Sequence, residues 1–450
     1  MGKVKTRNEK VKKISQLPVI TSSAAGIDVG GTEMVVAYPV GEDKLEIRTF
    51  GCFTSDLHLI SDCLKENYVT SVAMESTGVY WMPLFLLLQE KGFDVCLVNA
   101  KHVKNVTGRK DDESDAEWIQ KLHSCGLLGA SFQPDGPTRT LRSIVRHRKN
   151  LIRTCTSYTN RMQKALELMN IKLQSVISDI DGKTGLLIVK AILDGERDPE
   201  ALADLRDKRI KASREEIVKS LEGCWTREHL FELSQCYELY LAHRRMIEEC
   251  DVEIEQQLKE YVAFQNQGEV VDIPLDIKRK RSTGKSKASY NLTAYLKQIL
   301  GVDVTEVAGI SEVSVLSIMS EVGVDLSKWK TEHHFTSWLG LAPNTKISGG
   351  KVISSRIKKK KHYAGQSFRM AANSLFNSKS ALGDYYRRIR AKAGPAKAVV
   401  ATARKLAIIY YKMVTNKEAY NPKALEDYQA QYREKKINQL KKKIALLEAA

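Results

Sequence analysis

Ala24-Ala25-Gly26-Ile27-Asp28-Val29-Gly30-Gly31 decides how the first third of the chain is read. It is a short apolar run, interrupted by one carboxylate and closed by a glycine pair. Such a run suits a buried strand that ends in a turn. Thr32 to Val40 and Lys44 to Phe50 read as two more strands, joined at Gly41-Glu42-Asp43 in hairpin fashion. Ser55 caps a helix that runs to Asn67, and Thr70 to Met74 is a strand that ends at Glu75. Val79 to Lys91 is a helix stopped by Gly92, and Phe93 to Val98 is a further strand. The order of strands and helices describes an α/β domain whose first three strands form an antiparallel meander.

The chemistry-bearing residues of this region are acids. Lys110-Asp111-Asp112-Glu113-Ser114-Asp115-Ala116-Glu117 opens a helix after the fifth strand. Asp112 and Asp115 are three apart, so they are expected on one helical face. Carboxylates placed together repel unless a cation lies between them, and a divalent metal is the usual answer. The competing reading is an acidic, solvated first turn that suits the helix dipole. Asp28 interrupts the first strand and Glu75 ends the fourth. If those strands are neighbours, the first turn of the following helix can reach the same edge. Asp28, Glu75, Asp112 and Asp115 would then hold two hard cations with oxygen ligation. Taken singly, Asp28 is equally a turn former and Glu75 a capping acid.

The 450 residues carry 71 Lys+Arg against 54 Asp+Glu, a formal net charge of +17. That excess points to a polyanion, and nucleic acid is the expected partner. No run of about 18 apolar residues is present, so no membrane span is expected. Residues 1 to 20 read as a basic arm without the apolar core of a secretory signal. Cys52, Cys63, Cys96, Cys125, Cys155, Cys224, Cys236 and Cys250 stand singly, with no C-x-x-C pair. This suits reduced thiols in a cytosol and argues against a zinc site.

Beyond residue 130 the pattern is helical. Leu141, Ile144, Arg148, Leu151, Cys155, Tyr158, Met162, Ala165 and Met169 alternate three and four apart, a heptad seam with one polar break at Arg148. A second stripe runs through Tyr240, Ile247, Cys250, Ile254, Leu258 and Tyr261. The pair suggests an antiparallel coiled coil, either a plain hairpin core or an arm for dimerisation. Arg142, Arg146, His147, Arg148, Lys149, Arg153 and Arg161 are read as a basic outer face suited to phosphates. Residues 264 to 290, with Lys278-Arg279-Lys280-Arg281, read as a flexible basic linker. Ala308-Gly309-Ile310-Ser311 stands between two helical patterns, as in glycine turns that bind a phosphate, though plain helix packing explains it equally.

The second chemical stretch is Gly340-Leu341-Ala342-Pro343, followed by Lys346-Ile347-Ser348-Gly349-Gly350-Lys351. Lys346, Lys351, Arg356, Lys358, Lys359, Lys360 and Lys361 make seven cations without an acid among them. A serine in such a loop is a phosphate contact or, if a base or metal activates it, a nucleophile. Chemistry alone does not separate Ser348 from Ser354 or Ser355. His333, His334 and His362 are bases only by sequence distance. The chain then returns to helices at about 365–376, 382–392 and 396–414, with a charged helix from Pro422 to Ala450.

With those residues assembled, the chain resembles the DEDD transposases of bacterial insertion sequences that use a bridge RNA. Gly26-Ile27-Asp28 is similar to their first acid motif, and Met74-Glu75-Ser76-Thr77-Gly78-Val79-Tyr80 to the second. Lys110 through Ala116 is similar to the paired-Asp motif, and Ser348-Gly349-Gly350-Lys351 to the serine motif, with Ser348 on the nucleophile. Ser311 departs from the family pattern, standing where a glycine is usual, and the basic insert near 278–287 lengthens the linker. The resemblance implies an α/β RNase H-like (RuvC-like) domain at 21–130, a coiled-coil helical arm at 131–263, a linker at 264–295, a mainly α transposase domain carrying the serine at 296–420, and a last helix at 421–450. It implies Mg²⁺ on the four acids, donor and target DNA as substrates, and a structured guide RNA. It also implies a homodimer or homotetramer whose active site is shared between subunits, in the bacterial cytoplasm near the nucleoid. Lys346, Lys351, Arg356 and the lysines at 358–361 join Arg142, Arg146 and Lys149 as expected nucleic-acid contacts. The rival expectation is a metal-dependent resolvase or nuclease in which water attacks. A third is a nucleic-acid-binding scaffold whose acids are only caps.

Overall fold

The computed structural model describes residues 18–41, 44–99, 103, 114–267, 288–357 and 362–422, with isolated positions Glu434, Ile437, Asn438 and Lys441. Asp112, Lys358, Lys359, Lys360 and Lys361 lie outside the described residues, as do most of the basic arm, most of the linker and nearly all of the last helix. The chain divides into two compact units, one ending at Gln133 and the other starting at Pro134.

The first unit is a five-stranded sheet in the order β3-β2-β1-β4-β5. Its strands are β1 (Ala24–Val29), β2 (Met34–Val40), β3 (Lys44–Phe50), β4 (Ser71–Glu75) and β5 (Asp94–Val98). β1 to β3 form the expected meander, and β1 is parallel to β4. The second strand starts at Met34 rather than Thr32, because Gly30 N–H donates to Glu33 O (3.0 Å) and closes a turn first. Helix α1 (Thr54–Glu66) starts one residue before the expected Ser55. Its cap is Phe53, whose N–H donates to Asp56 Oδ2 (3.0 Å).

Strand alternation divides the unit's core in two. Ala25, Ile27, Val29, Val72 and Met74 pack with Ile60 and Leu64 of α1 and with Leu84 and Leu88 of α2 (Trp81–Glu90). Ala73 and Val98 point the other way, onto Trp118, Ile119 and Leu122 of α3 (Asp115–Ser124). A strand that is central and covered on both faces needs an almost unbroken apolar run, and β1 supplies one.

The second unit is built on α4 (Gly136–Leu168) and α9 (Arg227–Gln265). The contacts Thr138–Tyr261, Arg148–Asp251 and Cys155–Tyr240 fall in opposite chain order, so the two helices are antiparallel. The buried stripe of α4 runs through Leu141, Val145, Arg148, Leu151, Cys155 and Thr159, so Val145 and Thr159 take places expected for Ile144 and Tyr158. Four short helices, α5 (Leu173–Val176), α6 (Lys183–Leu193), α7 (Pro199–Asp204) and α8 (Arg214–Leu221), close one end and share a core with the pair. At the other end lie α10 (Leu292–Leu300), α11 (Glu312–Val322), α12 (Glu332–Trp338), α13 (Tyr363–Ser374), α14 (Ala381–Ala393) and α15 (Pro395–Asn416). Phe335, Phe368, Tyr410 and Tyr411 pack ring against ring, edge-on, stacked and tilted, in the core that joins α12, α13 and α15. Before the Gly309 turn stands only a 3-10 turn, Val304–Glu306, not a full helix. Among the described residues no helix is long and apolar enough to cross a membrane.

Candidate active site

Asp28 and Glu75 come together through register. β1 and β4 pair with Ile27 opposite Met74, so the next residues, Asp28 and Glu75, stand side by side on adjacent parallel strands. Neighbouring strands are about 4.8 Å apart. Ile27 and Met74 face α1 and α2, so alternation turns both acids to the α3 face. Both are half-buried.

Helix α3 lies on that face and runs against β1. Ile20 and Thr21 N–H donate to Ser124 O at its far end (2.8 and 3.0 Å), and Gln120 Nε2 donates to Ala24 O (3.1 Å). The helix therefore begins toward the Asp28 end of the strand. Ser114 caps it by accepting from Glu117 N–H (3.1 Å), and Asp115 is its first residue. The contact is close because residue 26 is glycine. A Cβ there would stand 2.2 Å from Gln120 N and 2.4 Å from Ala116 O. Trp118, buried beneath the helix, donates to Val103 O (3.5 Å) and fixes its rotation.

Asp28 and Glu75 thus stand on neighbouring strands, and the exposed Asp115 opens the helix that begins toward their end of the sheet. The donors are all carboxylate oxygens, which suits a hard divalent cation rather than zinc or copper. Glu75 Oε1 also accepts from Thr77 Oγ1 (2.9 Å). Among the described residues no group of three or more acids, histidines or cysteines is placed to hold a metal ion. Asp112, the fourth expected ligand, lies outside those residues.

Ser348 belongs to the second unit. It ends β6 (Lys346–Ser348) and pairs with Lys351 at the start of β7 (Lys351–Ser354), so the expected loop is a two-stranded hairpin. Gly349 and Gly350 both have positive φ (55° and 72°), the conformation that a tight two-residue hairpin turn demands. Ser348 is exposed, and among the described residues no carboxylate or histidine hydrogen-bonds its hydroxyl.

Residues 25–171 match the family profile described as "Transposase", the DEDD transposase of IS110. Residues 303–387 match the one described as "Transposase IS116/IS110/IS902 family". No curated protein matches the chain. The chain is a DNA transposase with the two domains of IS110-type insertion-sequence enzymes. The first match contains Asp28, Glu75, Asp112 and Asp115, and the second contains Ser348. The mixed sheet followed by a mainly helical region is consistent with a DEDD RNase H-like transposase.

Other parts of the transposase depart from the sequence reading. Arg148 is not on an outer face. It is buried and forks onto Asp251 through Nε (2.7 Å) and Nη2 (3.1 Å). Arg142 donates to the carbonyls of Ser320 (3.2 Å) and Glu321 (2.6 Å). Arg146 forks onto both carboxylate oxygens of Glu321, each at 2.7 Å. Glu321 was invisible as their partner, since it looks like any acid on a short helix some 175 residues away. Lys149 is half-buried and Arg153 exposed on the same helix, while Lys346, Lys351 and Arg356 are exposed on and after the serine hairpin. His333 and His334 lie in the first turn of α12, and His362 is the cap residue of α13, packed on Trp338 with ring centroids 4.0 Å apart.

Proposed function

We propose that this transposase cuts and rejoins DNA through a phosphoserine intermediate formed on Ser348, with sequence choice delegated to a structured guide RNA. The carrying observation is the register of β1 and β4, which sets Asp28 and Glu75 side by side on the face where α3 begins with Asp115. With Asp112, these acids would hold Mg²⁺, which supplies charge neutralisation at the scissile phosphate and lowers the pKa of an attacking hydroxyl. Ser348 Oγ loses its proton to solvent and bonds to phosphorus as the bond to the 3′ oxygen breaks. The 3′ oxygen leaves as a hydroxyl, and the 5′ end stays on the serine. The reverse attack by a new 3′-hydroxyl restores a diester. The linkage conserves the bond energy, so no nucleotide cofactor is required, and the chain has no P-loop.

The serine hairpin supports this reading in its own way. Ile347, Val352 and Ile353 are 63%, 61% and 69% exposed. A two-stranded hairpin with bare apolar side chains is marginal alone and gains stability when a surface covers it. We take that surface to be an acid centre, supplied by another subunit of a dimer or tetramer.

The test is denaturing electrophoresis of protein incubated with donor DNA and Mg²⁺. Wild type yields a protein-linked strand, and Ser348→Ala yields none. Cleavage by Ser348→Ala that leaves free 5′-phosphates would convert the reading to a water-using nuclease. Sequencing the RNA that copurifies tests the guide: one abundant structured species supports it, and random cellular RNA removes it.

A further inference from the structure

A cleft of about 900 Å³ opens in the second unit between α4, α11 and α13. Lys149 and Arg153 project into it from α4, and Arg369 from α13. Ser314, Ser317 and Gln366 add neutral hydrogen-bonding groups, and among the described residues no carboxylate lines it. Glu321 acts on Lys149 from outside the lining, and Arg146 already holds it in a two-bond fork. Arg146 and Lys149 both lie over the Tyr363 ring, at 4.5 and 5.3 Å from its centroid.

Cations gathered without counter-charges are costly. Lys149 has its pKa lowered by burial and then by the charge of Arg153. Arg369 is lowered by burial, although its Nη2 donates to Gly340 O (2.9 Å). An anion in the cleft relieves both. Two helices also open into it: Val313 and Ser314 belong to the first turn of α11, and Tyr363 and Gln366 to the first turn of α13. Their amino ends add partial positive charge.

We infer that this cleft is a binding site for the phosphodiester backbone of a nucleic acid, with Lys149, Arg153 and Arg369 as its phosphate contacts. Size and layout favour a backbone over a single small anion. Lys149 and Arg153 are one helical turn apart, about 6 Å between Cβ atoms, so they address successive charges. Val145, Ile152 and Met370 give the walls apolar surface for sugars. The contacts carry no base readout, so the site adds affinity and register but not sequence choice.

The inference rests on the reading that the chain handles nucleic acid, yet it needs no chemistry, and its test is binding alone. Full-length protein is titrated with a labelled DNA duplex and, separately, with an RNA hairpin of matched length, by fluorescence anisotropy across a salt series. Lys149→Gln/Arg153→Gln should weaken binding severalfold. It should also flatten the log Kd against log salt slope by about 0.9 per lost contact on a duplex, nearly 2 for the pair. Gln366→Glu, an exposed change that removes no cation, should weaken the same probe by repulsion, which keeps the test alive if the double variant folds poorly. The probe whose slope changes identifies the polymer. Unchanged slopes and affinities for both probes with both substitutions would overturn the site. The assay contains no cleavage step and reads only affinity and salt slope, so failure of the cleavage chemistry and failure of the cleft are read separately.

Discussion

Gly26 shows how one missing side chain places the chemistry. Its hydrogen lets the backbone of α3 rest directly on β1, and that contact brings Asp115 to the strand end that carries Asp28. Gly26→Ala would press a methyl against two backbone atoms that cannot rotate away. Restricting the unfolded chain returns only about 0.4–1 kcal/mol, while forcing α3 off the sheet costs about 3 kcal/mol. The clash wins. The expected result is a lower urea midpoint and loss of DNA cleavage, with the far-ultraviolet spectrum of the second unit retained. A variant as stable and active as wild type would mean that α3 does not seat where it is described. Asp28 stood out in the sequence only in company with Glu75, Asp112 and Asp115, since taken singly it reads equally as a turn former before Gly30-Gly31. Its neighbour Gly26 did not, since nothing in the spacing shows which helix crosses which strand. Ser348 was legible only through family resemblance. The structure separates it from Ser354 by geometry: Ser348 stands at the glycine turn, while Ser354 is half-buried and accepts from Arg356 N–H (3.3 Å).

At the scale of elements, the three-and-four spacing on α4 and α9 announced two long helices, and the structure has both. Spacing does not say what a polar residue in a seam will meet. Arg148 looked like a break in the stripe, and Asp251, 103 residues away, makes it part of the core. Removing one member leaves a charge buried alone, a penalty of about 3–5 kcal/mol. Replacing both by apolar residues of similar volume costs little or even stabilises. Arg148→Met should therefore lower stability strongly in urea denaturation, and Arg148→Met/Asp251→Leu should recover most of it. Two equal losses that simply add would show that the pair is not coupled. The same logic explains why the expected basic face of α4 is narrower than the sequence suggests. Burial consumes Arg148, Glu321 engages Arg142 and Arg146, and Lys149 and Arg153 are left for other partners.

For the molecule as a whole, the acids and the serine reside in different compact units, one ending at Gln133 and the other beginning after it. Spacing and charge could not reveal whether one chain or two supply a given site, because an intrachain and an interchain arrangement need the same residues. The exposure of Ile347, Val352 and Ile353 is what motivates the proposal that the hairpin packs on a neighbouring subunit. Mixing two inactive proteins decides the matter. In a mixed assembly of Asp28→Ala and Ser348→Ala, one pairing combines intact acids from the Ser348→Ala chain with an intact serine from the Asp28→Ala chain. If sites are shared, that pairing restores protein-linked DNA, and the linked chain is the Asp28→Ala one, which a size tag identifies on the gel. If each chain uses its own acids and serine, every site in the mixture lacks one group and no adduct forms. The same mixture run with Glu75→Ala in place of Asp28→Ala should behave identically if the two acids, side by side in the strand register, act as the one centre proposed for them.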